Sequence, residues 1–78
     1  MLLLDINKKP TNTVLYLAAA VSGVLLKSEG LDYASLLTDL KKELNQEINP
    51  TFFGLALSFL FLIDKLYLDE RGDLHVFE

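Results

Sequence analysis

Apolar side chains recur along this chain at helical spacing three times, and then switch to short β-prone runs near the C-terminus. Between about Val14 and Ser28, Val14, Leu17, Ala18, Val21 and Leu25 fall on one face and Tyr16, Ala20, Gly23 and Lys27 on the other, the spacing of an amphipathic helix. Thr11 and Thr13 both stand where an N-cap belongs. Pro10 disfavours helix at Lys9, and Gly30 is a natural stop. Leu31 reads as a short extended link. Asp32 can cap a second helix running to about Leu44, with Leu36, Leu37, Leu40 and Leu44 as its buried stripe and Asp39, Lys41, Lys42 and Glu43 towards water. Asn45-Gln46-Glu47-Ile48 reads as a polar connection. Asn49-Pro50 then predicts a third helix, because proline suits the first helical position. That helix runs to about Ile63.

Beyond it, Lys65-Leu66-Tyr67-Leu68 and Asp73-Leu74-His75-Val76-Phe77 are two β-prone runs around Asp69-Glu70-Arg71-Gly72. This predicts a hairpin with Gly72 in the left-handed turn position. Three helices followed by a C-terminal β-hairpin is the order of a small winged-helix domain, an α+β fold. Residues 1–78 read as one domain, with 1–10 as an N-terminal extension and 65–78 as the wing.

The third helix departs from the usual pattern. Thr51 to Ile63 reads Thr-Phe-Phe-Gly-Leu-Ala-Leu-Ser-Phe-Leu-Phe-Leu-Ile, apolar almost all the way round. A chain of this size cannot hide every face of such a helix in its own core. If Phe52, Ala56, Leu60 and Ile63 face inward, then Gly54, Leu55, Ser58, Phe61 and Leu62 face outward. An exposed apolar face of this kind marks an interface, so these five are the candidate partner-binding residues. The competing expectation makes the helix central, with the first helix packed over Gly54 and Ser58 through its own small residues.

Composition sharpens this reading. The chain has 78 residues, 51% hydrophobic, with a net charge of −4 and no cysteine. It is globular by composition, yet a domain of this size buries only about 60% of its unfolded surface, so marginal stability is expected. Neither a disulfide nor a thiolate metal site can help. The acidity argues against free nucleic acid as the main ligand, because phosphate neutralisation needs clustered Lys and Arg. The two strongly apolar runs span only about 20 Å each as helix, short of the roughly 30 Å hydrocarbon core. Met1-Leu2-Leu3-Leu4-Asp5 carries an acid where a signal peptide carries a basic region. A cytoplasmic chain with no membrane partner is therefore expected.

Candidate chemistry is sparse. His75 is the only histidine, with no second ligand type to converge on it; a partly exposed strand residue is the expectation. Asp69, Glu70 and Asp73 lack the spacing of a calcium loop and read as a solvated turn. Ser35, Thr38 and Ser58 have no partner that would make a nucleophile, and Gly23, Gly30, Gly54 and Gly72 are too isolated for a phosphate-binding loop. No catalytic residue, cofactor site or metal site is expected. Lys8-Lys9 and Lys41-Lys42 are the basic clusters; they could meet a phosphate backbone or an acidic partner, or form a solvated surface. A DNA-reading helix presents polar side chains to base edges. The third helix carries no charge before Asp64, which argues against sequence-specific reading by it.

Several short motifs resemble those of a known family. Met1-Leu2-Leu3 with Pro10 opens the chain, and Leu15-Tyr16-Leu17-Ala18-Ala19 follows in the first helix. Thr51-Phe52 then precedes Leu55-Ala56-Leu57, Leu60, Ile63, Asp64 and Leu66, and Gly72-Asp73-Leu74 lies in the wing. Together they resemble the small middle component of three-component systems built around an SMC- or RecN-like ABC ATPase, the Lamassu-type antiphage defence systems. The chain departs from that pattern at Leu4, where proline is usual, at Ala18, which replaces glycine, and at Asp64, which replaces the helix-ending glycine. Aspartate tolerates the left-handed conformation better than most residues, so the helix end survives.

The resemblance implies an adaptor with no enzymatic activity. Its expected partners are the SMC-like ATPase and an effector, often a nuclease, with DNA met only through the complex. Self-association is expected when the chain is isolated. The rival reading is a dimeric winged-helix DNA-binding regulator, and a more remote one is a small membrane-associated protein. Salt-dependent DNA binding would favour the regulator, and co-purification with a large ATPase the adaptor.

Overall fold

The computed structural model describes residues 13–77. The N-terminal extension 1–10, with Thr11, Lys8 and Lys9, lies outside the described residues. Three helices, α1 (Val14–Leu26), α2 (Tyr33–Leu44) and α3 (Pro50–Leu62), precede two strands, β1 (Leu66–Leu68) and β2 (Leu74–Val76). This is the predicted α+β winged-helix order.

Local chemistry sets most of the boundaries. Thr13 caps α1: its backbone is extended and its hydroxyl accepts from the Tyr16 amide at 3.3 Å, satisfying one of the helix's orphan donors. The helix stops at Leu26, two residues before the expected Ser28. The Ser28 hydroxyl and amide both turn back onto the Leu25 carbonyl, and the hydroxyl also accepts from the Gly30 amide. Gly30 is therefore not the helix stop; with φ at +109° it swings the chain into Leu31.

Asp32 holds the N-cap position of α2, but its carboxylate makes no capping hydrogen bond. Asn45 closes that helix in the left-handed conformation, φ 54°. Asn49 caps α3, its Oδ1 accepting from the Thr51 and Phe52 amides at 2.8 and 3.3 Å. Asp64 ends the helix in the left-handed conformation, φ 58°, and the Lys65 amide reaches back to the Leu60 carbonyl at 2.8 Å. That bond satisfies a carbonyl the helix leaves open.

The hairpin is antiparallel, with Leu66 opposite Val76, Tyr67 opposite His75 and Leu68 opposite Leu74. Gly72 turns it with φ +86°. Leu31 adds a third strand position: its amide and carbonyl exchange hydrogen bonds with those of Leu74 at 3.1 and 2.7 Å. This bridge ties the wing to the link between α1 and α2.

One buried cluster joins all five elements. Leu17 and Val21 come from α1, Leu36 and Leu40 from α2, Phe53 and Leu60 from α3, Leu66 and Leu74 from the strands. Ile48, expected in a polar connection, is buried with them. Phe53 is fully buried and meets the Tyr33 ring edge-on at 5.1 Å. Burial of such a side chain contributes roughly 1.5–3 kcal/mol. No helix among the described residues is long and apolar enough to cross a membrane.

Candidate functional site

An all-apolar helix has no polar side to mark which way it faces, so packing partners rather than pattern decide which arc it buries. In α3 the buried residues are Phe53, Ala56, Leu57 and Leu60. Ala56 and Leu60 face inward as expected, but Phe52 is only half-buried and Ile63 is 47% exposed. The helix is rotated so that Phe53 and Leu57 take the inward positions assigned to Phe52 and Ile63. That rotation turns Phe53, Ala56, Leu57 and Leu60 into the core that α3 shares chiefly with α1 and also with β1, and Phe53 also meets the Tyr33 ring.

On the outer arc, Leu62 is 82% exposed, Leu55 48% and Phe61 38%. Ser58 is exposed and Gly54 half-buried. A Cβ added at Gly54 would meet nothing within 4 Å, so α1 does not cross the helix there. Leu55 and Leu62 are seven residues apart and stack two turns from each other on one line of the helix. From Pro50 to Ile63 the helix carries no ionisable side chain. What this face can do is remove apolar surface from water against another apolar surface; it offers no group for proton transfer or phosphate contact.

The basic residues gather elsewhere. Lys41 is half-buried and pairs with Glu47 at 3.5 Å, while Lys42 is exposed beside it. Both sit in the last turn of α2, where cations offset the negative end of the helix dipole. Lys27 pairs with Glu43 at 3.2 Å. Exposed pairs of this kind contribute at most about 1 kcal/mol each.

The wing holds an arrangement that the sequence signals only weakly. Asp69 organises the turn: its Oδ1 accepts from the Arg71 and Asp73 amides at 2.8 and 3.0 Å. Its Oδ2 lies 2.8 Å from His75 Nε2. An ionised carboxylate only accepts, so the imidazole carries a proton on Nε2. The His75 hydrogen bond is the largest influence on Asp69. With the Asp73 amide next, and against the opposing effect of partial burial, it lowers the carboxyl from 3.8 to about 2.

The Tyr67 ring stacks on His75 at 5.0 Å, and Phe77 on Tyr67 at 4.6 Å. The imidazole also lies against Gly30, where an added Cβ would come within 2.6 Å of it. Asp69 is thus a structural acceptor, not simply a solvated turn residue as expected. An Asp three residues before a turn Gly was the one local signal of that role. Among the described residues, no three His, Asp or Glu side chains converge as metal ligands.

Neither the curated proteins nor the solved structures contain a match to the chain. The family model for ABC-three component (ABC-3C) system Middle Component 6 matches residues 3–77. The chain therefore belongs to that family, and is an accessory subunit of a three-component ABC system that works with protein partners.

Proposed function

We propose that the chain is a non-catalytic adaptor that bridges an SMC-like ABC ATPase and an effector, such as a nuclease, within a cytoplasmic antiphage defence complex of the Lamassu type. One observation carries this reading. A subunit of a multi-component system exposes Leu55, Phe61 and Leu62 along one uncharged helix face. Exposed apolar surface of this kind is characteristic of protein interfaces. Gly54 and Ser58, small and uncovered, let a partner approach the helix backbone between the larger side chains. The absence of charge on α3 and the net charge of −4 support DNA contact only through the complex. The same apolar face makes self-association of the isolated chain the expected behaviour.

Charge placed on that face tests the reading. Leu55→Asp with Leu62→Asp should abolish co-purification with the other two components, because desolvating an unpaired carboxylate costs several kcal/mol. The helical circular dichroism of the lone chain should be kept, since both side chains are exposed. Lys41→Ala with Lys42→Ala should change assembly little, as exposed rim charges contribute little. A DNA-binding regulator would reverse this order: the lysines would dominate, and binding would fall steeply with salt. Full assembly by the double Asp variant would sink the adaptor interface assigned here.

A further inference from the structure

The other flank of α3 borders a groove that this face does not use. Ala18, Ala19 and Ser22 of α1 form its floor, and Phe59, Ile63 and Phe77 rise across from them around a volume of about 450 Å³. Small side chains in the floor leave room for a neighbour to come close to the helix, and the large ones opposite give it apolar surface to bury. Leu15 and Leu26 mark the ends along α1. They are three turns apart, about 16 Å at 1.5 Å per residue. The groove is partly open to solvent, and a span of this length suits a short helix better than an enclosed small molecule.

Its charge narrows the occupant further. Lys65 is the one ionisable side chain among the lining residues. Lys27, Lys41 and Arg71 each pair with a carboxylate of the chain, whereas Lys65, like Lys42 in the last turn of α2, forms no such pair among the described residues. An occupant that is purely apolar would strip water from the ammonium without replacing it, at a cost. An occupant with a carboxylate at that end would pair with it instead. Nucleic acid is a poor fit, because one cation in an apolar groove of an acidic chain cannot follow a phosphate backbone.

We infer that the groove between α1, the C-terminal end of α3 and the end of β2 receives an amphipathic helix of another subunit of the same complex. That helix carries large apolar side chains on one face and an Asp or Glu positioned to meet Lys65. Recognition is of the helix-in-groove kind, with anchors at i, i+3 or i+4, and i+7. The inference rests on the adaptor reading, from which it takes the source of the helix. It supplies the second surface that a bridging subunit needs, distinct from the outward line of Leu55 and Leu62.

The test co-expresses the tagged chain with the other two components of its system and measures how much of each is retained. Ala19→Arg puts a long cation into the floor at an exposed helix position, where arginine is a good helix former. It should lower retention of one component at least tenfold while the other stays bound. Lys65→Glu should lower retention of that same component severalfold, and Lys65→Arg should leave it near wild type. Circular dichroism of each lone variant should match the unmodified chain.

If Ala19→Arg and Lys65→Glu both retain wild-type amounts while the Leu55, Leu62 double variant fails, the groove is not a docking site and the adaptor reading stands. If the unmodified chain retains neither component, both readings fall. Should Ala19→Arg instead convert a dimer of the lone chain into a monomer by light scattering, with retention unchanged, the occupant is a second copy and the inference is wrong.

Discussion

Gly30→Ala is the sharpest probe of how the wing is held, because one added methyl group meets two independent obstacles. The backbone there has φ +109°, a conformation that side-chain-bearing residues hold only at roughly 1–3 kcal/mol. The new Cβ would also lie 2.6 Å from His75 Cε1 and Nε2. A free ring would swing aside at little cost. This one is hydrogen-bonded to Asp69 at 2.8 Å and stacked on Tyr67, so displacement forces it off its rotamer, about 0.5–1.5 kcal/mol. Lower chain entropy in the unfolded alanine variant offsets roughly 0.4–1 kcal/mol. The net loss is roughly 0.5–4 kcal/mol, at its upper end a large share of the stability of a small domain.

Urea and thermal denaturation followed by circular dichroism would read this loss, with a drop in Tm of about 10–20 °C at the middle of that range. The two obstacles separate in a second background. With His75→Ala already present the steric part vanishes and the strain remains, so Gly30→Ala should cost about 1 kcal/mol less there, within the range seen for residues in contact. An equal cost in both backgrounds would show that the ring is no obstacle. A cost under about 0.5 kcal/mol in both would refute the backbone geometry as well.

Acid should loosen the wing through Asp69, whose carboxyl titrates near 2 when folded against 3.8 ordinarily. A depressed acid stabilises the fold above its unfolded value, so this contribution is complete above about pH 4 and is lost as pH falls towards 2; Asp69→Asn should flatten the dependence of hairpin amide exchange on pH across that window. Asn49→Ala removes the acceptor of two amides at the start of α3 and should cost about 1 kcal/mol in urea denaturation, while Asn49→Ser or Asn49→Asp should recover most of it.

Much of this architecture was legible because it depends on near neighbours. Thr13, Asn49-Pro50, Asp64 and Gly72 each set a boundary through a hydrogen bond or a backbone conformation within a few residues of themselves. The buried stripe of α2 followed from period, since polar residues mark its other face, although Leu37 and Leu44 are only half-buried; α1 is nearly as apolar as α3, and there Val24 is buried while Val14 is half-buried. Period had nothing to work on in α3. There the choice of Phe53 over Phe52 depends on packing against residues far along the chain, in α1 and β1 above all, with the Tyr33 ring meeting Phe53 from α2. Leu31 pairing with Leu74 and His75 packing over Gly30 join positions more than forty residues apart, and no local pattern announces them. The groove is hidden for the same reason: its floor, wall and rim come from three separate elements. Leu55 and Leu62 stood out from sequence only as a surplus, apolar residues on a helix that had no polar side to give to water.

That surplus has a thermodynamic consequence. A chain this small has few interior positions, yet half of its residues are hydrophobic. Leu68 and Tyr33 are exposed singly, but most of the aliphatic excess gathers in two places. Leu55, Phe61 and Leu62 gather on one side of α3, while Ile63 and Phe59 gather with Leu15, Leu26 and Phe77 on another. Apolar surface left in water does nothing for the lone fold and favours association. A partner that covers it binds the folded chain and not the unfolded one, and so adds stability by mass action, about 2.7 kcal/mol when its concentration is a hundred times its Kd. Stability and assembly are then linked. The fold is expected to be marginal alone and firm in the complex, and a substitution that weakens docking should lower the Tm of the assembled chain even where it leaves the Tm of the isolated one unchanged.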